Sequence, residues 1–496
     1  MPVLRPLALL LALAAPTLAA QPYASYAAFA ADLDAAASLA DADERDAAVD
    51  AVWARVTAHE QVPFTDGTTA AFLHRGAAGS VAARGDHNSW GSAGAGPLAR
   101  VGLSDVWRRV ETLPADARVD YKLVVDGDWR LDPHNPHQQW GGFGPNSELR
   151  MPEWTPSPET VRGDGVPAGT FGGPLLFESA RLGYAVRYRL WTPAGYEADP
   201  TLDGLPVLFV TDGHEYADDR LGAALPVLDN LVAEGRIDPP LVVFVDPRDP
   251  VTGENRRQEQ YLQNPDFAAF VADELAPTLD TAYRTAGTAE SRGILGTSFG
   301  GVCALYFAAA RPDAFGLVGT MSPALWAAPE LYDALAASPA EQAHFLSTGT
   351  LFDGQDNTRA MRSVLDGVPT FDLTYTERSE GHSWGQWRAL MAPMLEALFP
   401  PDGAVDTDPA PALDPFAFSA WPNPAADAVT LRLTPGLQRT TVDAYDLLGR
   451  RVARLHDGPA RAQHVRADVS GWAAGLYVLR LTTADGVATR RLLVSR

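Results

Sequence analysis

The sequence predicts an α/β chain: a doubly wound sheet with a small β-sandwich before it and another after it. Three observations carry that prediction. Between residues 170 and 400, short apolar runs such as LPVLFVTDG and PPLVVFVDP alternate with helical patterns such as NPDFAAFVADELAPTLDTAYR. Such runs suit strands covered on both faces, and their alternation with helices implies a parallel sheet. Residues 61–160 and 416–496 instead carry short alternating runs broken by Gly, Asp, Asn and Pro, as small antiparallel sandwiches do. The length of 496 residues is more than one core organises, and 46% hydrophobic with 20% charged residues is an ordinary globular balance.

Taken in order, residues 1–20, MPVLRPLALLLALAAPTLAA, place Arg5 before an apolar run and small residues at Ala19 and Ala20. The run is shorter than the roughly 20 residues a membrane span needs and Pro16 interrupts it, so it reads as a secretory signal and no transmembrane segment is expected in the mature chain. Residues 22–60 are alanine-rich, with Tyr26, Phe29, Leu33, Val52 and Val56 at helical spacing. In residues 61–160, Asp126-Gly127 stands between two strand-like runs and marks a hairpin. The segment carries Gly85-Asp86-His87-Asn88-Ser89-Trp90, Tyr121-Lys122 and Asp132-Pro133-His134-Asn135-Pro136. On these residues it resembles the early-set, immunoglobulin-like domain that precedes the catalytic domain in glycan-processing enzymes and enterochelin-type esterases. Trp90, Trp107, Trp129 and Trp140 could stack on a sugar, although packing is the expected role of most aromatic residues.

The chemistry is expected in residues 170–400. Gly296-Thr297-Ser298-Phe299-Gly300 fits G-x-S-x-G, with the strand-like RGILG before it and the helix-like GVCALYFAAA after it. A tight strand-to-helix turn needs small residues on both sides of the serine, lifts its Oγ above the sheet, and aims the next N–H at a developing oxyanion. A serine nucleophile needs a base, and His214, His344 and His382 are the histidines of this region. His382 lies between the last strand-like run, FDLTYTE, and the last helix, whereas His344 precedes FLSTGT and is expected at the opposite edge of the sheet. His382 is therefore the expected base. Asp353, nearest the end of the next strand, is the preferred acid, and Asp356 is the alternative. The order Ser298, Asp353, His382 is that of an α/β-hydrolase. Phe299 N–H is the expected first oxyanion donor, with Gly213 or His214, after LFVTD, as the second. The single cysteine, Cys303, cannot form an internal disulfide and is expected to pack in the helix behind the serine. No cofactor is expected, and no metal: DPHNPH is a turn-rich loop without a ligand cluster around it.

With these residues in place, the region resembles the esterase family of α/β-hydrolases that includes enterochelin, feruloyl and acetyl-xylan esterases, S-formylglutathione hydrolases and mycolyltransferases. The resemblance is carried by Asp212-Gly213, Arg256 and Arg257 with Glu259 and Tyr261, Glu274-Leu275 with Pro277 and Tyr283, the serine turn, Ser322 with Trp326, Gly349-Thr350 and Gly381-His382-Ser383-Trp384. It implies triad roles for Ser298, Asp353 and His382, and substrate contacts for Trp326 and Trp384. The domain in front narrows it to the enterochelin-esterase-like branch.

Residues 401–415 are rich in Pro and Asp and read as a linker. Residues 416–496 carry Trp421-Pro422-Asn423-Pro424, Tyr445-Asp446-Leu447-Leu448-Gly449-Arg450 and Ala474-Gly475-Leu476-Tyr477. In that order the motifs resemble the C-terminal sorting domain of type IX secretion cargo, which implies outer-membrane secretion machinery as a partner and a secreted or cell-surface location reached through the periplasm. With 39 basic and 62 acidic residues the formal net charge is -23, which excludes nucleic acid as an expected partner.

The function expected from all this is hydrolysis of a carboxylic ester through an acyl-enzyme, on a glycan-linked (feruloyl or acetyl) or siderophore ester. The alternatives are an inactive glycan-binding surface protein and an acyltransferase to a sugar.

Overall fold

The structure is a computed structural model that describes residues 21–91, 96–401, 419–421, 425, 428–432, 440–446, 450–458, 464–483 and 487–494. The expected signal segment 1–20 and the expected linker, apart from residue 401, lie outside the described residues, as do 422–424 and 447–449 of the tail motifs. The chain divides into two compact units, Met1–Asp402 and Gly403–Arg496.

Among the described residues the first unit opens with two helices, Tyr26–Ala37 and Ala42–Ala58, whose N-terminal ends are capped by Ser25 and Asp41 side chains accepting from the N–H groups of Ala28 and Glu44. They cover one face of a four-stranded antiparallel sheet in which Thr69–Arg75 is one of the two inner strands. The alternation of that strand explains the layering. Ala71 and Leu73 point to the helices, while Ala70 and Phe72 point to a second, five-stranded sheet and pack with Val81, Tyr121 and Leu123. Asp126 and Gly127 form the two-residue turn between Arg118–Val125 and Asp128–Arg130, both with positive φ (52° and 94°), as a type I′ hairpin turn requires.

The rest of the unit is a nine-stranded mixed sheet flanked by helices, an α/β-hydrolase fold. Its strands run in the order Thr170–Phe171, Ala185–Thr192, Leu241–Asp246, Val207–Val210, Arg292–Thr297, Leu317–Met321, Gln342–Gly349, Phe371–Arg378, with Leu175–Glu178 beside Ala185–Thr192. From Leu241–Asp246 to Phe371–Arg378 every pairing is parallel; only the Ala185–Thr192 end is antiparallel. Val207 and Phe209 enter the core on one face, and Leu208 and Val210 enter the core on the other, so the run is apolar throughout. The helical run after Asn264 is capped as the sequence suggests, with Asn264 Oδ1 accepting from Asp266 and Phe267 and Pro265 in the first turn. It then widens into a π-helical turn, Phe270–Leu275, before Ala276–Ala282.

The second unit contains a three-stranded and a four-stranded antiparallel sheet that share a core of Val429, Leu431, Val442, Ala444, Leu479, Leu481 and Leu492. Among the described residues no helix is long and apolar enough to cross a membrane.

Candidate active site

Ser298, Asp353 and His382 each follow the C-terminal end of a parallel strand, the side on which open α/β sheets place their sites. Ser298 turns the chain from the Arg292–Thr297 strand into the Phe299–Ala310 helix with φ 57° and ψ -117°, a conformation costly for a residue with a side chain. The turn is held by Ser298 N–H donating to Met321 O at 3.1 Å and by Ser298 O accepting from Ala324 N–H at 3.1 Å. Glycine is required on either side: a Cβ on Gly296 would overlap the Gly300 backbone, and one on Gly300 would overlap Thr211 Oγ1.

Ser298 Oγ lies 2.9 Å from His382 Nε2, and His382 Nδ1 lies 2.6 Å from Asp353 Oδ1. Asp353 is fully buried, and its Oδ2 accepts from Ser322 Oγ at 2.6 Å, Gly349 N–H at 2.5 Å, Thr348 Oγ1 at 3.0 Å and Gln386 Nε2 at 3.2 Å. Burial by itself would raise this carboxyl, but the bonds from His382, Ser322 and Gly349 outweigh it and hold it below the ordinary carboxylate value. An ionised Asp353 can only accept, so Nδ1 carries the imidazole proton and Nε2 presents a lone pair to the serine hydroxyl. Trp387 packs edge-on against His382, with ring centroids 4.9 Å apart, and donates Nε1–H to Ser322 Oγ at 2.9 Å. Thr348, Gln386 and Trp387 are members of the site that sequence reasoning did not find. Nothing local marks them, because they reach Asp353 and His382 only through the folded packing.

Asp356 stands elsewhere. It occupies the first turn of the Gln355–Asp366 helix, 93% exposed, and pairs with Arg359 at 3.4 Å. His344 lies inside the Gln342–Gly349 strand rather than before it, buried against Phe371, where burial lowers its pKa to about 3. Cys303 is fully buried in the core behind the serine turn, and burial pushes its thiol well above the ordinary value.

Phe299 opens the helix after the serine, and the first N–H groups of a helix have no partner within it. Gly213 and His214 begin a short helix after Asp212, and Gly213 lies so close to the backbone of Phe244 and Val245 that a Cβ has no room. Asp212 is buried and bound by Arg257 Nε at 2.8 and 2.9 Å, while Arg257 Nη2 donates to Thr297 O at 3.2 Å. This pair ties the Asp212–Gly213 turn to the residue before Ser298. Burial lowers the His214 pKa to about 4, which keeps its imidazole neutral. Burial, reinforced by the Asp212 carboxylate, raises Glu215 to about 7.

Ser298 and His382 open into a cleft of about 620 Å³, whose other side is formed by the front sandwich, including Trp90, Lys122, Trp129 and Phe143. Trp90 and Trp129 stack with centroids 6.3 Å apart, Trp129 is half exposed, and Phe143 is fully exposed. Trp107 packs against the sandwich core, and Trp140 lies under the Arg220 guanidinium. Trp384 reaches the cleft but is buried against Tyr216 and Trp387. Trp326 leans on the Phe299 ring at the surface, 72% exposed, and does not line the cleft. Among the described residues no group of three or more His, Cys, Asp or Glu is placed to hold a metal ion.

Comparison with known proteins agrees with this architecture. Residues 179–398 match the family model described as "Putative esterase", and residues 419–495 match that of the secretion system C-terminal sorting domain. The sorting domain marks the chain for export, as a secreted or surface-attached protein. Iron(III) enterobactin esterase of Escherichia coli O6:H1 is 26% identical over 256 residues, covering 46% of this chain and 60% of that protein. An endo-1,4-beta-xylanase/feruloyl esterase of Xylanibacter ruminicola is 24% identical over 318 residues, covering 61% of this chain and 41% of that protein. The chain thus spans roughly half the length of these curated relatives. Among solved structures, the enterobactin esterase of Shigella flexneri superposes with a TM-score of 0.55 at 22% identity, covering 66% of this chain and 92% of that one, a likeness of fold.

Proposed function

We propose that the protein is an exported serine esterase that cleaves carboxylic esters through an acyl-enzyme, with Ser298 as nucleophile, His382 as base and Asp353 as the acid that orients it. The observation that carries this reading is the unbroken hydrogen-bonded line from buried Asp353 through His382 to a serine on a strained turn. Ser298 Oγ attacks the ester carbonyl while its proton passes to His382 Nε2. The imidazolium, steadied by Asp353, then protonates the departing alkoxide. Water, deprotonated by His382, attacks the acyl-enzyme and releases the acid. Phe299 N–H and a second N–H from Gly213 or His214 hold the oxyanion, each donor contributing about 3 kcal/mol to transition-state stabilisation.

The ester belongs to a substrate with a planar or sugar ring. The cleft faces the serine with Trp90, Trp129 and Phe143, aromatic faces suited to stacking. Glycan-linked feruloyl esters and aromatic siderophore esters both fit that wall, and the names of the relatives support the same two classes.

The test is hydrolysis of short and aromatic acyl esters by the wild type and Ser298→Ala, with fluorophosphonate labelling of both. Activity and label confined to the wild type support the reading; equal activity or equal labelling overturns it. A panel of feruloyl, acetyl and catecholate esters then separates the substrate classes.

A further inference from the structure

We propose that Arg118, which belongs to the front sandwich and not to the hydrolase sheet, is a positioning residue for His382. Its side chain is 1% exposed, and it is aimed at the segment that carries the base. Arg118 Nε donates to Glu380 Oε2 at 2.7 Å, and Nη2 donates to Ser383 Oγ at 2.6 Å. These two residues stand on either side of Gly381-His382. The Arg118 backbone N–H donates to Ser379 O at 3.1 Å, and Nη1 donates to Asp120 Oδ1 at 2.5 Å. Glu380 Oε1 accepts from Arg378 Nε at 2.8 Å, and the buried carboxyls of Asp86 and Glu148 together with the Arg388 guanidinium complete the charged cluster around Arg118.

The fit extends to the backbone. Gly381 lies against the side chain of Asp86, and Gly385 lies against the Arg118 guanidinium, so closely that a Cβ on either would overlap them. The hydrolase side supplies Leu351 N–H to Glu380 O at 3.1 Å and Gln386 Nε2 to Gly381 O at 2.7 Å. The segment 379–385 is therefore gripped from both sides, with the Arg118 guanidinium of the front sandwich and the Arg378 guanidinium of the hydrolase sheet both on Glu380. His382 needs such a grip. Its side chain is 40% exposed, and its catalytic distance of 2.9 Å to Ser298 must be kept by the chain that carries it. Small misplacements of a catalytic group cost large factors in rate. The front sandwich is on this account a working part of the catalytic unit as well as one wall of its cleft.

The inference rests on the serine-esterase reading. It is tested on the full chain with Arg118→Ala, Arg118→Lys and Ser383→Ala, each assayed for kcat, KM and the pH profile of kcat/KM on p-nitrophenyl acetate, beside Ser298→Ala. Arg118→Ala is expected to lower kcat about 100-fold with KM changed less than about threefold, and to move the acidic limb of the profile. Added guanidinium ion is expected to recover roughly tenfold of that loss, and none in Ser298→Ala. Arg118→Lys and Ser383→Ala are expected to lose about 3–10-fold in kcat with the limb moved in the same direction. A folded Arg118→Ala with wild-type kcat and an unmoved profile overturns the inference, whatever happens to its melting temperature. Should Arg118→Ala not fold, wild-type kcat and profile in both Arg118→Lys and Ser383→Ala overturn it equally. Activity retained by Ser298→Ala would instead sink the esterase reading itself.

Discussion

Asp353 Oδ1 meets His382 Nδ1 at 2.6 Å, while the other oxygen of the same carboxylate is held by hydroxyl, amide and backbone donors. The fold thus locks the Asp353 carboxylate in place beside His382. Asp353→Asn keeps the shape but permits an amide N–H where an acceptor is needed, and it is expected to lower kcat about 10³–10⁴-fold. Asp356→Asn, on the exposed helix turn, is expected to stay within about twofold of the wild type, since exposed ion pairs contribute little. Steady-state kinetics on one ester measures both, and equal losses would reassign the acid.

The aromatic wall gives a prediction on specificity. Trp129→Ala removes the half-exposed ring that stacks on Trp90. The expected result is a KM for feruloyl or catecholate esters raised about 5–20-fold, with little change for acetyl esters, because a stacked ring contributes about 1–2 kcal/mol. An equal effect on both ester classes would place the ring outside the substrate site.

Glu215 gives a prediction on pH. Its folded pKa, about 7, is raised above the ordinary 4.5 by burial, so the native state holds a proton that the unfolded chain releases. Unfolding stability from this group is full below about pH 4.5 and is lost as pH rises to about 7, on the order of 3 kcal/mol. Glu215→Gln is expected to melt over pH 5–7.5 with a flatter dependence than the wild type. Calorimetry at several pH values checks it, and parallel curves would count against a buried neutral Glu215.

Gly296 gives a prediction on the serine turn. A Cβ there meets the Gly300 backbone, which cannot swing aside as a side chain can. Gly296→Ala is expected to destabilise the protein by about 1–3 kcal/mol and to abolish fluorophosphonate labelling of Ser298 in the folded fraction. Gly173→Ala, where a Cβ meets open space, is the control expected to do neither.

Much of this site was legible in the sequence because its signals are local. Small residues around Ser298, an apolar run before it and a helix-forming run after it all describe one turn, and a turn is decided by its own residues. His382 was chosen by its place between a strand-like run and a helix, and it lies 2.9 Å from Ser298 Oγ; His344 was set aside by the same reasoning, although it sits within its strand rather than ahead of it. The choice between Asp353 and Asp356 was not local. Three residues apart, both follow the same strand, and only the packing buries one under Ser322, Thr348 and Gln386 and leaves the other in solvent. Trp326 and Trp384 show the same limit, since an aromatic residue beside a motif has the same signature whether it faces solvent, a core or a cleft.

The sequence by itself determined the alternation of strands and helices, the serine turn, the order of Ser298, Asp353 and His382 along the chain, and the β-rich tail with its sorting motifs. These follow from periodicity, glycine placement and short motifs, which act over a few residues. The tertiary structure alone decided which aspartate stands behind His382, which tryptophans face the serine, and that Arg118 reaches Glu380 and Ser383, 262 and 265 residues away in the chain. The physical reason is that a buried charge or ring is defined by what surrounds it, and its surroundings come from distant segments brought together by burial of the cores.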